Sequence, residues 1–96
     1  MESIVSNHPL NRHFAKKLRE LRFEKGVSSK ELAERISTEM KEVNAYEQGG
    51  RILSAAYLYM FARALDVPIE RFFEGVDPST DSLWFNSADY DYFVNY

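Results

Sequence analysis

Between residues 28 and 48 the apolar side chains come in two short bursts. Leu32, Ala33 and Ile36 repeat at one-, three- and four-residue intervals with Lys30, Glu34 and Arg35 turned the other way, which predicts one face of a short amphipathic helix. Its start is marked twice. Ser28 stands at the N-cap with Glu31 three residues later, a pair able to satisfy each other's orphan amides, and Val27 and Leu32 bracket the cap as a hydrophobic staple. A second burst, Met40, Val43 and Tyr46 or Glu47, predicts another short helix that Thr38 is placed to cap and Gly49 and Gly50 to end. Two short helices with a brief connection form a helix-turn-helix.

The flanking segments repeat the helical period. In residues 10–25, Phe14, Leu18 and Leu21, with Phe23 as a candidate continuation, make an apolar stripe among Arg12, Lys16, Lys17, Arg19, Arg22 and Lys25. Pro9 suits the first helical position, with Asn7 or His8 as cap. After a loop over residues 49–53, Ser54 caps a helix reaching about Leu65, with Leu58, Phe61, Ala62 and Leu65 on one face and Tyr57 and Tyr59 bordering it. Asp66, Val67 and Pro68 break the pattern, and residues 69–73 read as a short fifth helix stopped near Gly75. The expectation is an all-α, five-helix domain over residues 9–75, with an N-terminal arm over 1–8 and a tail over 76–96.

Composition adds three constraints. Ninety-six residues fit one small core and leave no room for a second, catalytic domain. Cysteine is absent, so no disulfide framework or thiolate chemistry is available. The start of the chain has neither a basic region nor an apolar one, and no run is long enough to span a bilayer, so a soluble cytoplasmic protein without membrane contact is expected.

Charge is divided along the chain. The net charge is -3, yet all twelve Lys and Arg lie at or before Arg71, while Glu74, Asp77, Asp81, Asp89 and Asp91 follow it; ten acids therefore face twelve bases in residues 1–73. The body is mildly basic and the tail acidic. A linker-like run, residues 77–82, leads into Trp84, Phe85, Tyr90, Tyr92, Phe93 and Tyr96, an aromatic density at odds with a purely solvated tail. Docking onto the body or a second subunit is the first reading, and capture of a protein partner by residues 77–96 the second.

Nothing in the chain reads as an enzyme. His8 and His13 have no partner at metal-ligand spacing, no nucleophile or paired-carboxylate signature is present, and no cofactor is expected.

The run Leu18, Leu21, Arg22, Gly26, Val27, Ser28, Glu31, Leu32, Ala33, Ile36, Val43, Tyr46, Glu47 and Gly49, with Ala62, Leu65, Val67, Pro68, Phe72 and Phe73 after it, resembles the Cro/phage-repressor type helix-turn-helix (XRE) regulators over residues 12–75. The resemblance implies a regulator that binds operator DNA as a homodimer, its second helix, at about 39–47, in the major groove. The base-facing positions then fall on Met40, Lys41, Asn44 and Ala45. Lys41 can donate to guanine, Asn44 can read adenine or bond phosphate, and Met40 and Ala45 can touch thymine methyls. Met40 also lies on the stripe that continues to Val43, which would put it in the core instead. Ser28, Ser29, Gln48 and Arg51 match phosphate-binding positions, and Lys30 is a further candidate. Arg22 and Glu47 match an ion pair that fastens the first helix to the end of the recognition helix. Leu53, Tyr57, Phe72, Phe73 and Trp84 are candidates for the dimer surface.

The chain departs from the family pattern at Ser29, where Gln is common, and at Ser37, where the turn Gly usually stands. Glu39 and Glu42 bring carboxylates to the reading helix, where they repel phosphates or accept from cytosine N4. The alternative function is a protein-interaction module on the same scaffold, an antirepressor-like factor or antitoxin holding a partner with its tail.

Overall fold

The computed structural model describes residues 8–76. Four α-helices follow one another: α1 (Pro9–Glu24), α2 (Ser29–Arg35), α3 (Met40–Glu47) and α4 (Ala55–Leu65). A 3₁₀ helix, Ile69–Phe73, takes the place of the fifth α-helix. Five residues behind Pro68 close too few i→i−4 bonds to favour the wider helix, and the tighter turn closes with Arg71 N–H on the Pro68 carbonyl. It drives Phe72 fully into the core and leaves Phe73 at the surface.

Local chemistry starts and stops each helix. The His8 ring Nδ1 accepts from Leu10 N–H at 3.1 Å ahead of Pro9. Ser28 and Glu31 form a complete capping box, and Ser54 accepts from Tyr57 N–H. At the C-termini of α1, α2 and α3 the same pair of reverse bonds recurs: Gly26 and Val27 bond back to Phe23 and Arg22, Ser37 and Thr38 to Glu34 and Ala33, Gly49 and Gly50 to Tyr46 and Ala45. Each motif needs a left-handed residue. Gly26 and Gly49 supply it freely, whereas Ser37 adopts φ 59° with a side chain.

Two expectations change here. Thr38 does not cap α3, because the helix begins at Met40, one residue further on, and puts Glu39 at the N-cap, where it makes no side-chain cap bond; the Thr38 amide closes α2 instead. Phe23 leaves the α1 stripe and is 61% exposed, lying under the guanidinium groups of Arg19 and Arg22 at 5.5 and 4.7 Å.

The core collects Leu10, Phe14, Leu18 and Leu21 of α1, Leu32 and Ala33 of α2, Val43 and Tyr46 of α3, and Leu58, Phe61 and Leu65 of α4. α2 packs chiefly on α3, and α4 on the 3₁₀ helix. At the centre Asn11 is completely buried. Its Nδ2 donates to the Arg51 carbonyl at 3.1 Å and its Oδ1 accepts from Leu53 N–H at 2.8 Å, so one amide pins the loop between α3 and α4 to α1. Outside the core, Arg71 clasps Glu24 through two bonds of 2.8 and 3.1 Å, and Glu74 takes both Arg71 and Lys17. These contacts tie the last described turn back to α1.

Candidate nucleic-acid interface

α3 is set by what it hides. Val43 is fully buried and Tyr46 nearly so, and Tyr46 packs its ring against Tyr57 and Phe61. Burial, then hydrogen bonding to Tyr57, raises the Tyr46 pKa far above an ordinary phenol, so the hydroxyl stays protonated throughout the working pH range. On the α1 side, Arg22 Nε and Nη2 meet Glu47 Oε2 and Oε1 at 2.6 and 3.0 Å, while Nη1 donates to the Val27 carbonyl at 3.1 Å. The two side chains are 10% and 7% exposed, and the bonding to Glu47 raises the Arg22 pKa further despite burial. Two of these bonds hold α3 at Glu47 and the third anchors the guanidinium to the connection between α1 and α2, so α3 keeps one face turned outward.

With that face fixed, Met40, Lys41 and Gln48 are exposed, and Asn44 and Ala45 are half-covered on the outward arc. Met40 at 50% exposure belongs to this arc and not to the core. Asn44 and Gln48 open onto a small cleft shared with Arg19 and Phe23 of α1. Lys41 Nζ lies 3.6 Å from Glu39 Oε1 with both side chains 74% exposed, an ion pair that solvent screens strongly.

The other positions divide. Lys30 is exposed and Ser29 half-buried at the start of α2, whereas the Ser28 oxygen is occupied as a cap, accepting from Glu31 N–H at 3.0 Å. Arg51 is paired with Glu42 on α3, Nε to Oε1 at 2.8 Å and Nη2 to Oε2 at 3.3 Å. Leu53 and Phe72 have no exposed surface and are corrected to core residues; they face the interior and cannot line a subunit surface in this fold. Tyr57 and Phe73 are exposed, and so are Tyr59 and Met60 on the same helix as Tyr57, beside a cleft of about 560 Å³ that Arg35 and Arg63 also line. Trp84 and the rest of the tail lie outside the described residues, as does the arm over 1–7. Among the described residues no helix is long and apolar enough to cross a membrane, and no group of acidic and histidine side chains is placed to hold a metal ion.

Asn11 and the Glu42–Arg51 pair went unread in the sequence. Asn11 sits within the α1 stripe, next to Leu10, and a polar residue on an apolar face is the signal that was available.

Two short helices at a sharp turn, the first capped by Ser28 and the second clamped by an internal ion pair and exposing a polar arc, define a helix-turn-helix protein. The family described as "Helix-turn-helix domain" matches residues 15–78. An uncharacterized transcriptional regulator in the ATPase CF(0) region of Rhodospirillum rubrum is 35% identical over 80 residues, covering 80% of this chain and 74% of that protein. An uncharacterized HTH-type transcriptional regulator of Rickettsia conorii is 39% identical over 62 residues, 65% of this chain and half of its own length. Among solved structures, the clp gene regulator ClgR from C. glutamicum superposes with a TM-score of 0.65 at 26% identity, over 67% of this chain and 83% of that one. The restriction-modification controller protein C.AhdI from Aeromonas hydrophila gives 0.60 at 34%, over 65% and 94%. The chain belongs to the helix-turn-helix transcriptional regulators of the Cro/repressor (XRE) type.

Proposed function

We propose that the protein is a cytoplasmic, cofactor-free regulator that binds operator DNA as a homodimer, with α3 in the major groove of each half-site. The orientation of α3 carries the reading. Arg22 and Glu47 fix the helix so that Lys41, Asn44, Ala45 and Met40 form its outward arc, with Gln48, Ser29, Lys30 and Arg51 around the rim, where backbone phosphates would lie. Ser28 supports this edge by ordering the start of α2. One eight-residue helix reads only a half-site, and a second copy joined through the exposed side of α4 and the 3₁₀ helix, at Tyr57, Tyr59, Met60 and Phe73, supplies the other.

The deciding experiment measures binding to duplexes from the region upstream of its own gene and to scrambled duplexes at two salt concentrations, with Lys41→Ala beside the wild type. Preference for the native duplex that weakens with salt and fails in the variant is the expected result. Absence of binding at low salt, or binding indifferent to both sequence and Lys41, overturns the reading.

A further inference from the structure

We infer that Glu42 sets specificity by holding Arg51 in reserve, withholding its positive charge from arbitrary duplex until docking of α3 brings a phosphate against the α3–α4 loop. This rests on α3 being the reading helix.

Three observations carry it. Glu42 sits in the first turn of α3, on the flank between the outward arc and buried Tyr46, and its carboxylate engages Arg51 through both oxygens, at 2.8 and 3.3 Å. The pair is half-solvated, the Arg51 side chain 52% and the Glu42 side chain 26% exposed, unlike the sealed Arg22–Glu47 pair. Water-exposed ion pairs are weak enough for a phosphate to displace, whereas the sealed pair is permanent. Finally, the Arg51 carbonyl and Leu53 N–H are both held by Asn11, so the loop backbone keeps its place whichever anion the guanidinium chooses. Partner exchange is then a side-chain rotation with no cost in loop order.

The consequence is differential. On a loosely docked, non-specific duplex Arg51 stays on Glu42 and contributes no net charge. On a correctly seated site a phosphate takes over the bidentate contact, and the released carboxylate is free to face solvent or a cytosine amino group.

The experiment compares wild type, Glu42→Gln, Arg51→Gln and the double variant on native upstream and scrambled duplexes across a salt series, with circular dichroism confirming each fold. Glu42→Gln should tighten scrambled-duplex binding several-fold at low salt and steepen its log K against log salt slope by about 0.9, one extra phosphate contact. The double variant should return that slope to the wild-type value. Arg51→Gln alone should weaken native-duplex binding more than scrambled binding. An unchanged scrambled slope in Glu42→Gln, or equal losses on both duplexes in Arg51→Gln, overturns the inference while wild-type discrimination leaves the reading of α3 standing. Should the wild type itself fail to discriminate, both fall together.

Discussion

Arg22 is the residue on which the pose of α3 turns. Truncating it leaves the Glu47 carboxylate and the Val27 carbonyl without partners inside the protein, and breaking a buried pair on one side costs about 3–5 kcal/mol. Arg19 is exposed, with its guanidinium over the Phe23 ring. Arg22→Ala should therefore lower the melting temperature far more than Arg19→Ala, and equal losses in thermal scans would show that the pair is not structural. Asn11 makes a parallel case. Asn11→Leu fits an apolar surrounding but orphans a carbonyl and an amide, at about 1–3 kcal/mol for each buried group left unsatisfied, so a chemical-denaturation midpoint well below wild type is expected. The pair Arg22–Glu47 was legible because the family pattern named it. Asn11 was not, since its partners lie forty residues away and only the folded chain brings them together.

At the scale of elements, what could be read was what is local. The capping box, Pro9 at the start of α1 and the glycines beyond α3 depend on residues a few positions apart, and the helices begin and end there. Misreadings came where one residue serves two neighbours. Thr38 is next to α3 in sequence but belongs by its amide to the end of α2, and Phe23 follows Leu21 by two positions, off the helical repeat, where arginines cover it in place of the core. Ser37 was visible from sequence as an unusual occupant of a left-handed site, and φ 59° shows the site for what it is. Ser37→Gly removes the clash of a Cβ in that conformation while adding chain entropy to the unfolded state. The net expectation is a gain of about 0.5–1 kcal/mol in unfolding free energy; no gain would mean that the turn already accommodates the side chain without strain.

At the scale of the whole described domain, ion pairs fasten the last turn to α1. The Arg71 hydrogen bonds hold the Glu24 carboxyl below its ordinary value, and Lys17 and then Arg71 do the same for Glu74. A depressed carboxyl contributes stability above the unfolded pKa near 4.5 and loses it as pH falls through the folded value. The melting temperature of Arg71→Met should lie below wild type at neutral pH, by less than for Arg22→Ala, and the gap should close below about pH 4.5. The proposed assembly is tested on α4. Tyr59 and Met60 are exposed on α4, apolar surface that a second copy would cover, and the proposed dimer gains from linking two half-site contacts that are individually weak. Met60→Lys places a charge in that contact without touching α3 or the core. Sedimentation should then show a dimer for the wild type and a monomer for the variant. Affinity for a duplex carrying two half-sites should fall about 10²–10⁴-fold while affinity for a single half-site stays level, because linkage is lost and the reading surface is not. A variant that remains dimeric would move the interface away from this face of α4, and one that loses single-half-site binding as well would show that assembly and α3 are not separable.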